Sequence, residues 1–361
     1  MEANTKSAVN QPLASEAATS TPIQWEQCTV IRPRAESASA AKVEISNGLL
    51  EKRVALSRRA LMELVGGDLY DAGGAASRIR GRLDAIGITR ASADRNTIEG
   101  IAHWRKRHWT YSLPYYLWSR RIAVADAGQN AAKEQRRIIG QYMSGNEPEP
   151  QHRVAAPANR LSLPEPTALP DEPLAHVFLR RHASFTLPER SMASATLSGI
   201  LWYGLQSVRT ARRADPAADP GLYLRSFGSA LDFYVVAYAI DGLEPGVYLY
   251  DVADHVLQPV HHQELRRPMQ IALNGQQPPM TAACTLIMCA EFQRYQWRYR
   301  HERALRQLYV DTARIAQYAI LVATSYRKYV HMSPAVNDAV ILSMIRRSPA
   351  EDQVLYTLSI S

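Results

Sequence analysis

Residues 232–252, DFYVVAYAIDGLEPGVYLYDV, constrain the fold of this chain more than any other stretch. Two runs rich in Val and Tyr flank DGLEPG, where Pro245 and Gly246 interrupt regular structure and supply turn chemistry. The segment therefore reads as strand, turn, strand. CTLIMCAEF (284–292) is a further strand of the kind buried on both faces, and VLYTLSIS (354–361) is a terminal one. TLSGILWYGLQS (196–207) reads as an amphipathic helix. ERALRQLYVDTARIAQYAILVATSYRKY (302–329) reads as a long helix whose second half is apolar nearly all round. Such a helix is buried on most sides, often against a partner subunit. The order is α+β, a sheet with helices packed on it.

A chain of 361 residues favours two domains. Residues 1–40 are rich in Ala, Ser, Thr and Pro without periodicity and read as a disordered tail. Residues 41–143 read as a small basic domain. AKVEIS alternates like a strand, LSRRALMELVGG has Ser57 at an N-cap position, and GGAASRIRGRLDAIGI gives a second helical pattern. A strand followed by two short helices resembles a winged-helix module, a type that grips DNA or the leader of a precursor peptide. HWRKRHWTYSLPYYLWSRR (103–121) is the most basic and aromatic stretch, and it suits either a peptide or nucleic-acid groove or a solvated face over core aromatics. Residues 144–173 are dense in proline and read as an extended linker over a neighbouring surface, leaving 174–361 as the main domain.

The net charge of +8 points to acidic partners without ranking them. Cys28, Cys284 and Cys289 have no zinc-type spacing, so no metal is expected. The N-terminus lacks an apolar core of signal-peptide length, and no window is apolar enough to span a bilayer. A cytoplasmic protein without membrane contact is the expectation.

GLEPGVYLYDVADHVLQPV, WRYRHERALRQLYVDTARIAQYAILVAT and EDQVLYTLSIS together resemble the flavin-dependent nitroreductase superfamily, and within it the SagB-type dehydrogenases. The resemblance covers about residues 174–361. It implies a nitroreductase-like FMN-binding fold, a central antiparallel-rich sheet flanked by helices, in a homodimer with a flavin at each subunit interface. It implies an FMN-dependent dehydrogenase that oxidises thiazoline or oxazoline rings to azoles in a ribosomally made precursor peptide, working with a cyclodehydratase complex.

The implied site residues follow from the motifs. The arginine turn that binds flavin phosphate corresponds to Arg180 and Arg181, with His182 where serine is usual and Ser184 beyond it. Small residues beneath the flavin ring correspond to Arg225, Ser226, Gly228 and Ser229, although the family proline is absent. The Lys-Tyr pair of proton transfer corresponds to Arg298 and Tyr299. Arginine cannot act as a base, so Tyr299 takes that role, with Arg298 to lower its pKa or touch substrate. In the helix motif from Asp311 only Gln317 keeps its place beside that aspartate, and SPAVND puts Pro334 and Ala335 at the flavin's polar edge. Two other readings stand beside this one: a catalytically altered partner that binds peptide or a synthetase complex, and an FMN-dependent dehydrogenase of another peptide or carrier-bound substrate. A nucleic-acid binder fits the chain least well.

Overall fold

The computed structural model describes residues 29–34, 42–48, 52–66, 75–86, 88, 95–119, 131–145 and 149–361, apart from 155, 157, 159, 167, 215–227 and 229. The chain divides into two compact units, Met1–Ile122 and Ala123–Ser361.

In the first unit, β1 (Thr29–Arg34), β2 (Lys42–Asn47) and β3 (Lys52–Ser57) form an antiparallel sheet in sequential order. AKVEIS supplies β2. Strand β1 lies within the stretch whose composition suggests a disordered tail. Its TVIRPR pattern is too short to stand out of forty residues, and Arg32 pairs across the strands with Glu44 at 2.7 Å. Helices α1 (Arg58–Gly66), α2 (Ala75–Ala85), α3 (Arg95–Lys106) and α4 (Ser112–Ser119) follow. Ser57 caps α1 as its position predicts, its Oγ accepting the Ala60 N–H at 3.1 Å. Ile45, Leu64, Leu83 and Ile88 form one core, and Ile101, Leu113 and Leu117 a smaller one.

The second unit comprises α5 (Ala131–Ser144), β4 (Leu161–Ser162), α6 (Leu174–Arg180), α7 (Ser194–Gly204), α8 (Gln206–Arg212), β5 (Leu231–Ala237), β6 (Gly246–Asp251) and β7 (Val256–His262). It continues with α9 (Arg266–Ala272), α10 (Pro278–Thr281), β8 (Cys284–Glu291), α11 (Phe292–Arg298), α12 (Ala304–Ser325), β9 (Val330–Ser333), α13 (Asp338–Met344) and β10 (Asp352–Ile360). One sheet runs β4-β7-β6-β5-β8-β10-β9 with every neighbouring pair antiparallel. Strands β5, β6 and β8 are buried on both faces because helices cover both. Phe233, Val235 and Ala237 of β5 face a core shared with α7, α8 and α12, while Tyr234 and Val236 face a core shared with α9 and α13. Cys284 and Cys289, five residues apart on β8, fall on opposite faces and stay as buried free thiols.

Gly246 opens β6 where a Cβ would stand 2.4 Å from the His261 carbonyl oxygen, a backbone atom with nowhere to go. Gly140 in α5 has open space around the same position. Gly246→Ala should therefore lower stability by about 2 kcal/mol or more, whereas Gly140→Ala should be neutral or stabilise by up to ~1 kcal/mol. Urea unfolding of the two variants beside the parent checks this pair of opposite signs.

Candidate functional site

Two polar clusters stand out in the second unit, and α12 connects them. At its N-terminal end lies a buried knot of charge. Asp232, at the start of β5 and 1% exposed, receives Arg294 of α11 at 2.5 Å, Arg212 of α8 at 3.5 Å, and Arg153. Arg153 also reaches Glu291 at 3.3 Å and Asp352 at 2.9 Å, and Asp352 is further held by Arg347 at 3.0 Å. Burial alone would raise the Asp232 carboxyl, but Arg294, Arg212 and Arg153 outweigh it and hold it below the usual carboxylate range. Thus the proline-rich segment is docked at Arg153. Beside it His152 Nδ1 accepts from Arg294 at 3.0 Å, and Ala156 N–H donates to Gln258 at 2.7 Å.

Arg298 and Tyr299 sit against this knot. Arg298 is buried and its guanidinium donates twice to Glu149, at 2.8 and 3.0 Å. Its charge is therefore paired with a carboxylate. Tyr299 is half-buried, its ring 4.8 Å from that of Tyr295. Trp297 is buried edge-on to Tyr142 of α5, and Arg300 lies over that same ring at 3.8 Å. The arginines and aromatics crowded before α12 are thus largely a packed joint.

The second cluster lies towards the C-terminal end of α12, around β9. Ser184 N–H meets the Val330 carbonyl at 3.5 Å, and His331 Nδ1 lies 3.0 Å from the Ser184 carbonyl. The Gln276 amide then bridges His331 (2.6 Å) and Ser333 (3.3 Å), and the Ser333 hydroxyl accepts the Ala335 N–H at 3.2 Å. Asn274 donates to the Ala335 carbonyl at 3.2 Å. The arginine turn and the SPAVND loop, both expected to hold the cofactor, are joined here through residues that sequence reading did not single out. His331, Gln276 and Asn274 are the additions. Only the i, i+2 placement of His331 and Ser333 on one strand hinted at the first of them.

The other expected residues fall as follows. Arg180 ends α6 with both terminal nitrogens on Glu172, one at 2.8 Å, and donates to the Thr324 carbonyl at 3.2 Å. Its Nε is buried without an acceptor. Arg181 is half-buried and, among the described residues, has no carboxylate within ion-pair distance. His182 is exposed, its Nδ1 2.9 Å from the Arg180 carbonyl. Pro334 and Ala335 are exposed on their loop, and Gln317 is exposed on α12. Gly228 has φ +64°, and a Cβ there would meet Ile315 at 2.6 Å, so it needs glycine. Arg225, Ser226 and Ser229 lie outside the described residues.

A phosphorylated flavin is the group the resemblance implies. The β9 cluster fits it: an open guanidinium at Arg181, the His182 ring, the orphaned Nε of Arg180, and an exposed loop carrying Pro334 and Ala335 form a donor-rich turn facing a small-residue loop.

No family model matches the chain. Trifolitoxin operon protein TfxC of Rhizobium leguminosarum bv. trifolii is 27% identical over 249 residues, which are 66% of this chain and 68% of that protein. A protein assigned to the nitroreductases from Anabaena variabilis is 16% identical at a TM-score of 0.47, covering 56% of this chain, and the chain spans only 41% of its length. Another so assigned, from Ralstonia eutropha, is 19% identical at 0.44, covering 59% of this chain and 94% of that one. The Escherichia coli microcin synthetase McbBCD complex with truncated pro-MccB17 bound contains a chain 14% identical at 0.41, covering 67% of this chain and 97% of that one. The motifs of this chain resemble those of the nitroreductase superfamily, and within it the SagB type. Among the described residues, no helix is long and apolar enough to cross a membrane.

Two histidines at the docked segment make its stability pH-dependent. Burial, with Arg212 and Arg294, lowers His152 to about 3. Burial, with Arg209 and Arg213, lowers His255 to about 4, where its Nε2 lies 2.8 Å from the Ser198 hydroxyl that donates to the Pro164 carbonyl. Both rings are neutral when folded and take up protons at about 6.5 when unfolded. Stability is therefore full above pH 6.5 and falls as pH drops towards 4, by up to about 1.4 kcal/mol per pH unit for each ring. Urea midpoints between pH 6.5 and 4.5 should decline, and His255→Gln should flatten the slope.

Proposed function

We propose that the chain is an FMN-dependent oxidoreductase of the SagB type that dehydrogenates azoline rings, thiazoline or oxazoline, in a ribosomally made peptide. The observation that carries this reading is the β9 cluster, where the arginine turn and the Ser333–Asn337 loop are tied into one donor-rich face. Arg181 and His182 would hold the phosphate, and Pro334 and Ala335 would border the ring. When bound, FMN supplies the two-electron acceptor for the substrate ring. Tyr299 removes the proton from the ring carbon next to the one that is oxidised. Arg298, fixed by Glu149, walls the site beside it.

The arginine turn and Tyr299 are associated with opposite ends of α12 within one chain. Arg180 bonds to Thr324 near the C-terminal end of α12, while Tyr299 precedes the first residue of that helix, Ala304. Twenty helical residues at about 1.5 Å each put roughly 30 Å between the two ends of α12. A homodimer in which each site takes its turn from one copy and its tyrosine from the other satisfies both. Tyr309, Val310 and Tyr318 are exposed along α12.

The first unit supplies the expected peptide contact. Trp104 stacks on Tyr116 at 5.4 Å, Trp109 and Tyr111 are 60% and 95% exposed, and Arg105, Lys106 and Arg107 are exposed beside them. An acidic leader segment meets both charge and aromatic surface there. The TfxC relation, to a protein of the trifolitoxin operon, and a likeness to a chain of a synthetase with a pro-peptide bound agree with a peptide substrate handled in a complex with a cyclodehydratase.

A second reading, a partner that binds peptide without turnover, is favoured by one observation: Arg298, in the place of the family lysine, is already committed to Glu149. The absorption spectrum and turnover separate the two. The purified protein should be yellow, with bands near roughly 370 and 450 nm from bound flavin. Tyr299→Phe should keep those bands and slow azoline oxidation by about 10²-fold. A colourless parent that takes up no added FMN contradicts the enzyme reading, and unchanged turnover in Tyr299→Phe moves the proton transfer elsewhere. Neutralising Arg105, Lys106 and Arg107 together should raise KM for full precursor with kcat and flavin content kept, more strongly at low salt; loss of FMN in that variant would place the basic stretch in the cofactor site instead.

A further inference from the structure

Of the buried titratable groups in the second unit, His331 is the one that joins two parts of the molecule expected to meet a single ligand. It is 3% exposed on β9, inside the network rather than at its surface. Its Nδ1 faces a carbonyl oxygen, that of Ser184, and so must carry the proton and donate. Burial pushes the imidazole below its ordinary pKa, and the ring is neutral at pH 7. Its Nε2 is then an acceptor and needs a donor.

The Gln276 amide, 2.6 Å away, supplies one by a half-turn that exchanges its oxygen and nitrogen. The amide oxygen is left to accept the Ser333 hydroxyl, whose own oxygen accepts the Ala335 N–H. Every proton in this relay then has one direction, from the Ala335 amide to the Ser184 carbonyl. Ser184 lies three residues beyond Arg181, and Ala335 is in the loop expected at the flavin ring. The ring of Phe185, 5.3 Å from His331, covers the relay on the turn side.

We propose that His331 is a positioning residue that holds the arginine turn and the Ser333–Asn337 loop in register, and thereby sets how tightly the chain binds a phosphorylated flavin. The proposal rests on the FMN reading given above. It needs no contact between His331 and the flavin. One side chain fixes the spacing between the phosphate end and the ring end of the ligand, and misplacing either end loses contacts at both.

The test measures FMN affinity by quenching of flavin fluorescence, beside the melting temperature, in four proteins. The parent should bind FMN. His331→Asn retains a donor near the Nδ1 position and should bind within about threefold of the parent. His331→Leu removes donor and acceptor together and should bind at least tenfold more weakly, although it melts as one cooperative species. Gln276→Leu, which cuts the relay one residue on, should weaken FMN in the same way, and it carries the test if His331→Leu does not fold. Tight FMN binding by the parent with equal binding by His331→Leu or, in its place, Gln276→Leu overturns the positioning role and leaves the FMN reading intact. A parent that binds no FMN overturns both. Equal weakening in Asn and Leu variants, tracking their melting temperatures, also overturns it, since general loosening would then explain the loss.

Discussion

The Asp232 carboxylate is the interaction on which the second unit depends. It is taken out of water at the head of the central strand, where an isolated charge would be very costly, and three arginines from three separate places in the chain converge on it. Arg212 brings the end of α8, Arg294 brings α11, and Arg153 brings the proline-rich segment. A buried knot of this kind adds little net stability compared with apolar packing of the same volume. Its effect is to make one arrangement of those three elements far better than the alternatives, because any other leaves a charge buried and unpaired. The same arrangement sets Glu149 against Arg298, and so fixes the residue before Tyr299.

The long helix α12 turns that fixed point into a distance. One end begins a few residues after Tyr299, and the other is gripped by Arg180 and followed by β9 with its histidine relay. A rigid rod of this length keeps the two chemical clusters apart in one copy of the chain. If both serve one flavin, the second copy is part of the site. Arg180, engaged by Glu172, then acts mainly as the clamp on the helix end, which leaves Arg181 as the arginine with an open fork.

The frame of this fold was legible where period and length speak together. The strands DFYVV, GVYLYD and CTLIMCAE and the helix from Ala304 are long, apolar and bounded by turn residues, and they lie where the sequence places them. The short edge strands β4 and β9 were not legible, since two or four residues carry no period. The partners of the docked segment were also hidden. Proline density reads as a linker, and nothing local reveals that Arg153 meets Asp232, 79 residues away, or that Glu149 meets Arg298, 149 residues away. The site was legible as motifs but not as partners. Arg298 was read as tuning Tyr299 or touching substrate, and its partner Glu149 was not foreseen because it is distant in sequence. His331 was not singled out, because its partners Ser184 and Gln276 are distant in sequence.

A mixing experiment tests most directly the central claim, that one flavin site is built from the arginine turn of one copy and Tyr299 of another. Arg181→Glu and Tyr299→Phe proteins, each impaired alone, are unfolded together, refolded as a mixture and assayed for azoline oxidation. In a mixed dimer one site carries both substitutions, and the other has Arg181 and Tyr299 intact. Random pairing makes about half the dimers mixed, each with one working site, so activity should recover to about a quarter of the parent's. Recovery to that level is the result the account predicts. No recovery above the two variants measured separately, from a mixture shown to contain mixed dimers, would contradict it and place the whole site within a single chain.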